Sequence, residues 1–138
     1  MMTSQARLLH WLPLAAALIV LLAVYLPTLQ TVVNGSEHYF MIDVGETQIV
    51  LNVWGTLHAT GYPHYVMTGS AIVALLRALG IDAVTAPAVV SLIWGIVALT
   101  LLYILMVNAV RRPLIAAVVV VLVGLARTVW IHQVIAEI

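Results

Sequence analysis

Cysteine is absent from this chain and so is lysine, so every basic side chain is an arginine. The lack of cysteine excludes disulfides, thiolate metal sites and cysteine nucleophiles within the sequence. Charge of either sign is scarce: acidic and basic residues make up 7% of the 138 positions, against about a quarter in an ordinary soluble domain. A formal net charge of zero, with no basic tract, gives nucleic acid no electrostatic footprint and anionic lipid no polybasic anchor. What is present is apolar, with 64% hydrophobic residues and a mean hydropathy of +1.18, in runs long enough for membrane helices. The fold class expected is an all-α integral membrane protein.

Leu8 to Leu26 carries no charged residue. At about 1.5 Å per residue its length suits a hydrocarbon core of about 30 Å. The bulky Val24-Tyr25-Leu26-Pro27 that follows offers no small-residue cleavage site, so residues 8–27 read as an uncleaved first span. The single Arg7 ahead of it puts the N-terminus in the cytoplasm, which in a bacterium makes the host the plasma membrane. Residues 83–110 and 113–135 read as further spans. Pro63 to Leu79 starts on a favourable helix-first proline and stops before Gly80, but covers only about 25 Å.

The arginines choose between two topologies. If Pro63 to Leu79 crosses, Arg7 and Arg77 lie inside, with Arg111 and Arg112 outside. If it stays juxtamembrane, Arg7, Arg111 and Arg112 lie inside against Arg77 alone, which obeys the positive-inside rule better. The expectation is a single membrane module, 1–138, with three transmembrane helices and juxtamembrane amphipathic helices in an outer loop at 28–80. Four transmembrane helices is the alternative.

That loop gathers most of the polar residues. Asn34-Gly35-Ser36 reads as a turn, ahead of a sequon. Ile49, Val50, Val53, Trp54 and Leu57 recur at helical spacing, with Gln48 and Asn52 elsewhere, describing an amphipathic helix on the membrane surface with Trp54 at the headgroups. Two of the five carboxylates, Asp43 and Glu46, sit three residues apart just before it. Asp43-x-x-Glu46 is the pattern of a helix capping box, and equally of a carboxylate pair set at a membrane boundary, where ionisable groups are costly and commonly functional. His38, His58 and His64 place three imidazoles in the same region, but their spacing matches no compact metal motif; a divalent metal remains possible. Arg127 in the last span suits a lipid-linked phosphate or snorkels to the headgroups. Glu137 is a second candidate acid or an interfacial charge. With three spans it emerges on the same side as Asp43 and Glu46, and with four on the opposite side.

Asp43-Val44-Gly45-Glu46, then His58-Ala59-Thr60-Gly61-Tyr62-Pro63, then a late Trp130 with Ala136-Glu137, together resemble the N-terminal part of the GT-C membrane glycosyltransferases, in particular the protein O-mannosyltransferase-like family. The resemblance covers residues 42 to 138. The family's loop usually reads Asp-x-Gly-Glu and His-Pro-Pro-Gly-Tyr-Pro, with Ala59 and Thr60 replacing the two middle prolines here. Its later Glu-Val-Tyr is interrupted, since Ile138 follows Glu137 and the sequence stops. The resemblance implies a truncated or N-terminal module of an inverting glycosyltransferase that takes sugar from a polyprenyl-phosphate carrier on the outer face, and that is incomplete alone. It implies catalytic roles for Asp43 as general base, Glu46 in support and Glu137 as a second acid. His58, Tyr62, His64 and Arg127 would bind substrate. The partners expected are a lipid-linked sugar donor and membrane lipid. The rival reading is a small non-catalytic subunit packing against other membrane subunits through its apolar spans.

Overall fold

A computed structural model describes residues 4–33 and 42–137, with side chains over 11–33 and 43–137. The Asn34-Gly35-Ser36 turn, His38 and Ile138 lie outside the described residues. The described chain is all-helical: α1 (Ser4–Tyr25) with a 3-10 turn (Leu26–Thr28), α2 (Ile42–Val53), α3 (Pro63–Ala78), α4 (Thr85–Val110), α5 (Pro113–Gly124) and α6 (Arg127–Val134). Two stretches, Trp11–Thr28 and Thr85–Val110, are long and apolar enough to cross a membrane. A third crossing is available if α5 and α6 count as one span bent by 72° at the break between them. The sequence predicts an uninterrupted helix there.

The chain forms two compact units. In the first, residues 1–27 and 95–130, α1 packs along α5. Leu14, Ala17, Leu21 and Tyr25 of α1 are buried at helical spacing, as are Ala116, Ala117, Val120 and Gly124 of α5. A Cβ on Gly124 would lie 2.7 and 2.8 Å from the two methyls of Leu21, so the close approach of α1 requires glycine at this position. The Tyr25 hydroxyl donates a 2.6 Å hydrogen bond to the Gly124 carbonyl, satisfying a backbone acceptor where α5 stops. In hydrocarbon such a group has no water to turn to. Ile19, Leu101, Leu105, Leu114 and Leu122 point outward, as side chains facing lipid do.

The second unit, residues 28–94 and 131–138, holds α2, α3, the start of α4 and the described end of the chain. Gly69 of α3 admits the Leu51 side chain of α2, whose nearest methyl would be 2.9 Å from an added Cβ. Leu51, Val73, Ala86 and Val90 form one apolar cluster, and Val50, Leu57 and Val66 another. Asp82 caps α4, its Oδ1 accepting the Val84 and Thr85 N–H groups at 2.9 Å each.

The amphipathic helix forms with a different division of faces. It ends at Val53, where Trp54 adopts a left-handed conformation (φ 55°) and the Gly55 N–H reaches back 3.1 Å to the Val50 carbonyl, a Schellman closure. Leu57 therefore lies beyond the helix. Ile49, Val53 and Trp54 are exposed, whereas Val50 and Leu57 are buried. Gln48, expected on the wet side, is buried and its amide donates to the Val32 and Val84 carbonyls, 3.3 Å each. Asn52 donates to the Ala83 carbonyl at 2.8 Å. The polar side chains thus tie α2 to the turn ahead of α4.

Candidate functional site

Helix α3 begins at Pro63, and the residue before it, Tyr62, is held at φ 40° and ψ 54°. A left-handed tyrosine is an uncommon arrangement, maintained only where its surroundings fix it. Gly61 ahead of it also has positive φ, and the Gly61 N–H donates to the His58 carbonyl at 2.6 Å. This turn brings the His58 and Tyr62 rings edge to face, with centroids 6.2 Å apart.

On the facing side stands the first turn of α2. Asp43 is inside that helix, and Glu46 does not turn back to close a capping box: both of its carboxylate oxygens go to His58. Oε1 accepts the His58 backbone N–H at 2.8 Å, and Oε2 lies 2.7 Å from the imidazole Nδ1. The ring–carboxylate hydrogen bond is the main cause that lowers the Glu46 pKa below its ordinary value and raises that of His58. The Asp43 carboxylate is 4.0 Å from the same Nδ1 and more than half exposed.

The third participant is Glu137. Gln30, just past α1, donates its backbone N–H to the Val134 carbonyl (2.8 Å) and accepts the Ala136 N–H on its side-chain oxygen (2.9 Å). The Glu137 backbone is then clasped by Ser91, whose hydroxyl donates to the carbonyl at 2.9 Å and accepts the N–H at 3.2 Å, while the Tyr65 hydroxyl donates to the carbonyl at 3.3 Å. Its carboxylate meets His132 Nδ1 at 2.8 Å. Asp43, His58, Tyr62 and Glu137 line one hollow of about 180 Å³.

Of the residues singled out in the sequence, Asp43, His58, Tyr62 and Glu137 therefore meet, and Glu46 braces them from beside the hollow. His64 is exposed on α3 and does not line it; its described hydrogen bond is made by its backbone carbonyl, which accepts from Thr68. Arg127 opens α6 and belongs to the first unit, outside the residues that line the hollow. Sequence reasoning missed Tyr65 and Ser91, which hold the Glu137 backbone through contacts remote in sequence, Gln30, which holds the neighbouring Val134 and Ala136 in the same way, and the pairing of His132 with Glu137 five residues on. One oxygen each of Asp43 and Glu46 and a ring nitrogen of His58 lie within 4.8 Å of one another, a set that could hold a metal ion. Mixed oxygen and imidazole donors suit a borderline divalent ion. Such an ion would replace the Glu46–His58 hydrogen bond at Nδ1, which satisfies both groups without it.

Fold and site define a helical membrane-type chain that carries a carboxylate–imidazole cluster in its second unit. Comparison with family models, with curated proteins and with solved structures gave no match to any of them.

Proposed function

We propose that this chain is the N-terminal module of an inverting glycosyltransferase of GT-C type, drawing sugar from a polyprenyl-phosphate donor at the outer face of a bacterial plasma membrane. The observation that carries the reading is the single hollow shared by Asp43 and Glu137, from distant parts of the chain, with His58 and Tyr62. Inverting transfer needs one carboxylate to take the acceptor proton, and Asp43 suits it better than Glu46. The Asp43 carboxylate is exposed and makes no short hydrogen bond among the described residues, whereas both Glu46 oxygens are occupied by His58. In the step proposed, the acceptor hydroxyl oxygen bonds to the anomeric carbon and its proton passes to Asp43. The bond from that carbon to the phosphate oxygen breaks, and its electron pair leaves with the phosphate. His58, whose protonated form Glu46 favours, faces the departing phosphate in this scheme, and the Glu137 carboxylate opposes the positive charge developing on the sugar.

The same reading takes three spans with the N-terminus inside. Helix α3 is 16 residues long, about 24 Å at helical rise, short of a hydrocarbon core of about 30 Å. Asp43 and Glu137 share a hollow, which two crossings between them allow and three would forbid. A divalent ion on Asp43, Glu46 and His58 is compatible with this reading as an aid in holding the donor phosphate. A second reading, a non-catalytic subunit, draws on the apolar hollow between α1 and α5, where Ala16, Ala17 and Ala117 are small among larger valines and leucines and leave room for a neighbouring helix.

Transfer from a labelled polyprenyl-phosphate sugar by membranes containing the protein that carries this chain separates the two. Asp43→Asn should lower turnover by about a hundredfold or more, with membrane insertion and donor binding retained. Unchanged turnover would remove Asp43 as the base.

A further inference from the structure

A different hollow, of about 370 Å³, lies where the end of α2 faces the last turns of α3, and Asn52, Trp54, Ser70 and Arg77 are among its lining residues. Arg77 is exposed in the last turn of α3, and among the described residues it makes no ion pair. One of its N–H groups, on Nη1, donates to the Asn52 Oδ1 at 3.2 Å. Asn52 cannot serve a ligand as donor, because its amide nitrogen is already committed to the Gln48 and Ala83 carbonyls at 2.7 and 2.8 Å. Asn52 therefore aims the guanidinium, whose other N–H groups stay available. Ser70, bordering the same hollow, is wholly buried, and its hydroxyl has no hydrogen-bond partner among the described residues. A hydroxyl that has left water without finding an acceptor raises the free energy of the fold until an acceptor is supplied.

The pinned guanidinium can only donate and the unused hydroxyl has a proton to give, and a phosphate oxygen is an acceptor that suits both. The surroundings say which phosphate. Trp54 is exposed and lines the same hollow as Arg77, and a tryptophan with an arginine is the pairing found at headgroup level in a bilayer boundary. We propose that the α2–α3 hollow binds the phosphodiester of an anionic phospholipid headgroup, with Arg77 and Ser70 as donors and Asn52 as a positioning residue. This site uses none of the residues lining the Asp43 hollow and does not depend on sugar transfer.

The test is retention of phosphatidylglycerol by the purified full protein, followed by native mass spectrometry and by thermal unfolding in phosphatidylcholine with and without added phosphatidylglycerol. Arg77→Gln should weaken retention about tenfold, Arg77→Lys less, and Ser70→Ala about threefold. Arg112→Gln should leave it unchanged. Equal retention by wild type and Arg77→Gln, or equal losses in Arg77→Gln and Arg112→Gln, would overturn the site. Inorganic phosphate added in phosphatidylcholine alone should not raise the melting temperature; a rise that Arg77→Gln removes would overturn the lipid as the source of the phosphate. Should Arg77→Gln fail to fold by circular dichroism, Ser70→Ala decides by itself, and undiminished retention in that variant overturns the proposal.

Discussion

Glu46 holds His58 by ring and backbone at once, and this couples the shape of the 54–62 turn to pH. The folded His58 pKa is raised, so its contribution is complete below the ordinary histidine value of 6.5 and is lost as pH rises through the raised value. The folded Glu46 pKa is lowered, so its contribution is complete above the ordinary value of 4.5 and is lost as pH falls through the lowered one. The clasp should be strongest between those two ordinary values and looser on either side. Histidine-selective NMR titration should show His58 titrating above 6.5 in the wild type and returning toward it in Glu46→Gln. No difference between the two proteins would mean that the clasp is absent in solution. Asp43, His58 and Tyr62 were legible in the sequence because charge is rare there and a proline fixes the turn. The brace was not, since Asp43-x-x-Glu46 fits a helix cap equally well, and only the arrival of His58 shows where Glu46 turns.

Helix ends follow the same contrast between local and remote causes. Gly80, read in the sequence as the stop of α3, takes φ 93° and closes a Schellman motif, with its own N–H on the Arg77 carbonyl and the Ile81 N–H on the Leu76 carbonyl, both at 3.0 Å. The stop of α2 at Trp54 was illegible, because a tryptophan in the left-handed region is set by its surroundings rather than by propensity. The division of α5 from α6 was hidden for another reason: hydropathy continues through Gly124-Leu125-Ala126 while the helix does not. There α1 lies against Gly124 with no room for a Cβ. Gly124→Ala should cost about 1–3 kcal/mol by forcing the buried Leu21 from its position. Tyr25→Phe should cost about 1 kcal/mol by orphaning the Gly124 carbonyl. Denaturation by sodium dodecyl sulfate in mixed micelles measures both. Wild-type stability in Gly124→Ala would show that the two helices are not in close contact in the folded protein.

For the whole molecule, the decisive quantity is the number of crossings between the Asp43 turn and Glu137, because a hollow lined by both can persist only if they share a side. Composition made the helical membrane class plain, and the arginine balance is the ground in the sequence for the three-span proposal. What the sequence did not contain was the reason Glu137 returns to Asp43. That lies in Gln30, Ser91 and Tyr65, polar side chains whose partners are backbone groups distant along the chain. These 138 residues have no cysteine, so a single cysteine placed among them is the one thiol they contribute and reports its own side of the membrane. Val110→Cys and Leu114→Cys flank the Arg111-Arg112 pair while leaving both charges in place, and Thr60→Cys marks the turn beside His58. In intact cells an impermeant thiol reagent should label Thr60→Cys and spare the other two until the membrane is permeabilised. Labelling of all three would make α3 a crossing helix and put Glu137 opposite Asp43, and the shared hollow, with the glycosyl-transfer reading built on it, would then fail.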